Sequence, residues 1–166
     1  MKATDGKPVV ASKSGDNQLV RILFIGNSFT ARNDLPGMIR ALGAAAKPAR
    51  IVETSSIVAG GASLRRHWNA GTALKSLQSA HWDFVVLQEQ STLPIKNPVR
   101  YHENVRLFAA DGVHPTPAGT YLAALVFCDL LFGMLPSAES IFRTIGLSDG
   151  DAEALHTIAQ RIRRVS

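Results

Sequence analysis

The chain has 166 residues, 46% of them hydrophobic and 19% charged, a balance that suits one globular domain with a sizeable core and excludes a low-complexity or repeat protein. Its formal charge of +5 is mild and scattered; the densest basic groups, Arg65-Arg66 and Arg161, Arg163 and Arg164, read as solvated helix faces rather than as a nucleic-acid surface. A single cysteine, Cys128, excludes an intrachain disulfide and reads as a small core residue.

In chain order, residues 1–18 are polar and lack the apolar run of a signal peptide, so they are expected to form a disordered N-terminal arm before one domain over 19–166. No stretch resembles a transmembrane span. As it stands the chain reads as cytoplasmic, and as periplasmic or secreted if a leader has been removed. Val20–Ile25 is a short apolar run closed by Gly26-Asn27, the pattern of a buried parallel strand. Leu35–Ala46 carries apolar residues at helical spacing, with Asn33 or Asp34 as cap and Pro48 beyond. Arg50–Ser56 is a second strand, Gly60-Gly61 a loop, Leu64–Ala80 an amphipathic helix and Phe84–Leu87 a third strand. Pro98–Phe108 is expected to be helical, as is the strongly apolar Pro117–Phe132. Ser148-Asp149-Gly150-Asp151 caps a last helix that runs to about Arg163. Strands alternating with helices predict a parallel α/β sheet of three or four strands, with helices on both faces.

In such sheets ligands sit beyond the carboxyl ends of the strands. Ser28 follows strand one, Gly60 and Gly61 follow strand two, and Gln88, Glu89 and Gln90 follow strand three, so all three loops open onto one edge. Ser28 leaves a Gly-Asn pair suited to a tight turn, although Ser28 or Thr30 would equally suit a helix cap. Asp111-Gly112-Val113-His114 places a carboxylate and an imidazole on one Gly/Pro-rich loop. A serine hydroxyl needs an imidazole to take its proton and a carboxylate to fix that imidazole's tautomer, and these three residues supply the set. Gly60 or Gly61 can bring a backbone N–H to a substrate oxygen, forming an oxyanion hole with the Ser28 N–H. Gln88 or Gln90 could add a third donor. Glu89 reads as a surface or structural carboxylate. His67, His81, His102 and His156 read as structural or solvated, and Trp68 and Trp82 as packing residues. No metal-ligand cluster is evident.

These blocks resemble those of the SGNH (GDSL-type) hydrolases. Gly26-Asn27-Ser28-Phe29 is similar to the nucleophile block, with Asn27 where Asp is commoner. Gly61-Ala62-Ser63 resembles the glycine block, and Asp111-Gly112-Val113-His114-Pro115 the Asp-x-x-His block. The resemblance spans about residues 20–133. It implies a flavodoxin-like three-layer α/β/α fold and cleavage of acetyl or other short acyl esters, on carbohydrate or lipid, without metal or organic cofactor. It also implies Ser28 as nucleophile, His114 as base, Asp111 as its partner and Gly61 as oxyanion donor. Two departures are visible. The family's Gly-x-Asn-Asp block is replaced by Gln88-Glu89-Gln90-Ser91-Thr92, and the stretch from Thr92 to Asp111 lacks the further strand–helix units usual there. A helix over Pro98–Phe108 would run ~16 Å back across the sheet and strand His114 far from Ser28. Three outcomes follow from so short a connection: the helix ends early and Val105–Ala110 rises as a short strand, residues 92–110 stay at the catalytic edge as a lid-like segment, or the triad does not assemble. In the last case the chain would be an inactive α/β module for binding or dimerisation through the exposed third strand. The expected partner is otherwise a small ester, with a homodimer open on the same ground.

Overall fold

The computed structural model describes residues 19–89 and 105–163. The expected arm at 1–18 lies outside them. Three parallel strands, β1 (Val20–Gly26), β2 (Val52–Val58) and β3 (Phe84–Leu87), form one sheet in the order β2-β1-β3. The register sets Gly26 beside Val58 and Ile25 beside Leu87, so the three carboxyl ends finish together. The helices are α1 (Ser28–Ala31), α2 (Leu35–Ala45), α3 (Leu64–Ala70), α4 (Thr72–Ser79), α5 (Pro117–Phe132), α6 (Glu139–Thr144) and α7 (Asp149–Arg163). Among the described residues no helix is long and apolar enough to cross a membrane.

β1 is the centre of the molecule because it is buried on both faces. Ile22, Leu23 and Phe24 are fully buried and Ile25 nearly so. Burying each such side chain is worth about 1.5–3 kcal/mol, more than the ~1 kcal/mol span of strand propensity, so burial sets this strand's place. Ile22 and Phe24 join the large core with residues of α2, α5, α6 and α7. Leu23 and Ile25 point to the other face, under Ala73 of α4 with Ile57, Leu64, Leu77 and Trp82 around them. Three layers result, as the alternation of elements predicts. α5 is the apolar backbone of the larger layer and lies against α2 and α7. Its Cys128 is fully buried, and burial pushes the thiol up to about 12, so the residue is the inert core cysteine expected. Burial also holds Tyr121 up to about 12 and lowers His156, which meets the Tyr121 hydroxyl at 3.2 Å between α5 and α7.

Several elements differ from expectation. The single helix expected over Leu64–Ala80 is broken at Gly71, whose φ of +71° ends α3 through a bond from its N–H to the Trp68 carbonyl and starts α4 at a new angle. Trp68, expected to pack inside, is 67% exposed; Trp82 packs as expected and donates Nε1–H to the Ser76 carbonyl at 2.9 Å. α6 was not foreseen. Residues 105–108, expected to end a helix over Pro98–Phe108, are not helical; residues 98–104 of that expected helix lie outside the described residues. Phe108 bridges Pro115 in antiparallel fashion, the Ala109 N–H donates to the His114 carbonyl at 2.8 Å, and the Thr116 N–H donates to the Leu107 carbonyl at 3.0 Å. Over 105–110 only this single bridge forms rather than a strand, and the return brings Asp111 and His114 to the edge where Ser28 stands.

The hairpin and α5 meet at Gly119. A Cβ built there would lie 2.2 Å from the Leu107 carbonyl oxygen, which is backbone and cannot swing aside. Gly119→Ala is therefore expected to destabilise the fold by about 1–3 kcal/mol, read from the midpoint of urea unfolding. An unchanged midpoint would mean that residues 105–108 are not seated on α5.

Candidate active site

The turn after β1 is held from three sides. Gly26 leaves room for the side chains that brace the turn: a Cβ there would come within 2.6 Å of Thr30 Oγ1 and 2.8 Å of Gln88 Oε1, and both would have to shift. Asn27 is buried and caps α1: its Oδ1 accepts from the Phe29 N–H at 3.1 Å, and its Nδ2 donates to the Ala62 carbonyl at 3.0 Å. An aspartate could make the first bond but not the second, so asparagine ties the serine turn to the glycine loop. His67, from α3, is buried and donates Nε2–H to the Gly26 carbonyl at 2.7 Å. This places it as a structural histidine beneath the turn.

Gln88 occupies the third side. Its Oε1 accepts from the Asn27 N–H at 3.0 Å and from the Thr30 hydroxyl at 3.2 Å, and its Nε2 donates to the Glu89 carbonyl. Its amide thus serves the loop through its oxygen, a role sequence reasoning missed because the two ends of an amide look alike in a sequence. One Nε2 hydrogen remains beyond that bond. Gln90 lies outside the described residues. Glu89 accepts from the Leu64 N–H at 3.2 Å at the start of α3, the structural carboxylate expected.

Ser28 opens α1, where a first-turn N–H has no partner within the helix. Gly60 and Gly61 stand in open space, and Gly61 takes φ +61°, which only glycine adopts at no steric cost. The Ala62 N–H closes their turn onto the Ala59 carbonyl at 3.1 Å, and the Asn27–Ala62 bond fixes that turn next to Ser28.

Ser28 Oγ lies 3.0 Å from His114 Nε2, across 86 residues of chain. His114 Nδ1 lies 2.7 Å from Asp111 Oδ2. The other carboxylate oxygen, Oδ1, accepts from the Val113 and His114 backbone N–H groups, each at 2.9 Å. One oxygen therefore shapes the loop while the other orients the ring. The backbone N–H groups of His114 and Val113, then the His114 ring, hold the Asp111 carboxyl well below the usual carboxylate range. It is ionised at any ordinary pH, so Nδ1 carries the proton and Nε2 is left free to accept. Gly112, at φ +67°, turns the chain between the two residues. Phe29 stacks on the His114 ring with centroids 5.4 Å apart, and Arg32 Nη1 lies 3.5 Å from Asp111 Oδ2. Neither residue was singled out for such a role from the sequence.

The structure thus brings together Ser28, His114, Asp111 and the Gly60-Gly61 turn. Among the described residues no group of three or more His, Cys, Asp or Glu is placed to hold a metal ion. A scan against protein-family models, a search of the curated proteins and a search of the solved structures each return no match to this chain.

Proposed function

We propose that the chain is a serine hydrolase of the SGNH type, cleaving a small carboxylic ester through an acyl-enzyme. The observation that carries the reading is the continuous Ser28–His114–Asp111 relay, with links of 3.0 and 2.7 Å. Its distances are those a general base needs, and it supports the hydrolase over an inactive module, in which His114 would stand a sheet-height from Ser28. The strand order β2-β1-β3 agrees with the start of a flavodoxin-like sheet.

In this mechanism Ser28 Oγ attacks the ester carbonyl carbon while His114 Nε2 takes its proton. The tetrahedral intermediate places its negative oxygen against the backbone N–H groups of Ser28 and Gly61, with Gly60 lending the turn its open approach. Each such donor is worth about 2.7–4 kcal/mol in the transition state. The remaining Nε2 hydrogen of Gln88 is a third candidate, as is Gln90. His114 returns its proton to the departing alkoxide, and the alcohol leaves. Water then repeats the sequence: His114 takes its proton, hydroxide adds to the acyl carbon, and Ser28 leaves reprotonated. Asp111 stays ionised throughout and stabilises the imidazolium.

The test is covalent labelling with a fluorophosphonate probe, with Ser28→Ala as control. The wild type is expected to label and Ser28→Ala not to. A folded wild type that takes no label would overturn the reading; labelling that persists in Ser28→Ala would move the nucleophile elsewhere.

A further inference from the structure

The hairpin that carries Asp111 and His114 is closed largely on itself. Phe108 pairs with Pro115, the Gly112 N–H bonds to the Ala109 carbonyl, and the Thr116 hydroxyl donates to the Arg106 carbonyl at 2.6 Å. These bonds give the loop its shape, and Leu107, buried in the core and seated on α5 at Gly119, carries it to the edge of the sheet. Beside the nucleophile, further side-chain contacts reach the loop from one short stretch of chain, immediately after Ser28.

Three side chains there reach the loop. Phe29 lies against the His114 ring, the planes inclined by 27°. The Arg32 guanidinium lies 3.5 Å from the same Asp111 oxygen that accepts from His114. Asn33 Nδ2 donates to the Pro115 carbonyl, one residue past His114, and to Thr120 Oγ1 in the first turns of α5, both at 3.0 Å. Asn33 does so from φ 59° and ψ 19°, and Asp34 follows at φ 49°, so two consecutive non-glycine residues stand in the left-handed region. Such a conformation persists only where its surroundings enforce it, and it clusters at functional sites. Here the left-handed turn lets Asn33 reach the loop while Asp34, next to it, caps α2 by accepting from the Gly37 N–H at 3.0 Å.

We infer that Phe29, Arg32 and Asn33 are positioning residues that clamp the Asp111–His114 loop onto Ser28, an inference that rests on the serine-hydrolase reading for its catalytic consequence. Each fixes a different degree of freedom. Asn33 sets the height of the loop through the carbonyl beside His114. Phe29 sets the plane of the imidazole, so that Nε2 faces Ser28 Oγ, and offers its π face to the imidazolium that forms when the proton moves. Arg32 steadies the carboxylate that orients the ring. Nucleophile and clamp are adjacent in the chain, so a shift of α1 carries both together.

The test compares Asn33→Gly, Phe29→Leu, Phe29→Tyr and Arg32→Gln with the wild type. Asn33→Gly keeps the left-handed backbone and removes only the donated bonds. Three readouts are needed: the thermal midpoint, the rate of fluorophosphonate labelling, and the NMR signal of the His114 Nδ1 proton held by Asp111, which requires no catalysis. Asn33→Gly and Phe29→Leu are expected to keep their thermal midpoints near wild type and to label on the order of 10- to 10²-fold more slowly, as ångström-scale misplacement does. Arg32→Gln should show a smaller loss, and Phe29→Tyr should recover most of the rate lost in Phe29→Leu. The Nδ1 proton signal should be sharp in the wild type and broadened in Asn33→Gly. Wild-type labelling rates with a sharp signal in Asn33→Gly and Phe29→Leu would overturn the clamp, as would losses that merely track a lowered thermal midpoint, or a wild type lacking the signal. A sharp signal that Asn33→Gly abolishes, in a wild type that takes no label, would uphold the clamp and remove the hydrolase reading instead.

Discussion

Replacing His114 with alanine is expected to lower the turnover of a short-chain aryl ester by on the order of 10⁴- to 10⁶-fold. The size follows from what the imidazole does. A serine hydroxyl is almost wholly protonated at neutral pH, and His114 Nε2, 3.0 Å away, is placed to take that proton. His67, the other imidazole at the turn, is buried against the Gly26 carbonyl and cannot replace it. The proposed oxyanion donors, the Ser28 and Gly61 N–H groups, are backbone groups that the substitution leaves in place, so a residual rate above that in water should remain. Folding should change little, because the His114 side chain is 27% exposed and packs on Phe29 rather than in the core. Steady-state kinetics at matched thermal midpoints make the comparison. A variant within ~10-fold of wild type would mean that some other base serves Ser28.

Much of this arrangement is legible in the chain because it is local or set by burial. The apolar run at Val20–Ile25 declares a strand buried on both faces, and the residues after each strand share an edge in any parallel sheet. Asp111 and His114 are also legible: their side chains meet across three residues, and the carboxylate that orients the ring also caps the loop's own N–H groups. Contacts made at a distance are not legible. Asn33 reads as a helix cap until Pro115 and Thr120, 82 and 87 residues away, arrive beside it. Phe29 reads as one more apolar residue until a ring stacks on it. The described end of the helix expected over Pro98–Phe108, residues 105–108, shows the opposite failure. Residues 105–108 instead pair with the segment around Pro115 and seat on Gly119, a tertiary override of local preference. Gly71 is a signal that the pattern reading passed over: the amphipathic spacing continues through it, whereas its left-handed backbone ends one helix and begins another.

Asp111→Asn should separate the two duties of the carboxylate. The amide oxygen of asparagine can still accept from the Val113 and His114 backbone N–H groups, so the loop keeps its shape. The amide nitrogen, however, would face His114 Nδ1 as a donor. The ring must then accept at Nδ1 and carry its proton on Nε2, where it points at Ser28 Oγ and cannot act as a base. Turnover is expected to fall by on the order of 10⁴-fold with little change in KM. The same substitution has a signature in acid. The folded-state value of Asp111 lies below its ordinary 3.8, so its ionised form stabilises the native state. That contribution is fully present above the unfolded value and is lost as pH falls below it toward the native value. The stability advantage of wild type over Asp111→Asn should therefore shrink as pH falls below about 4, when urea midpoints of both are compared. A gap that stays constant through that window would mean that the loop's N–H groups and the His114 ring do not favour the ionised carboxylate in the folded chain. Lost turnover together with a shrinking gap would place both duties on the one side chain.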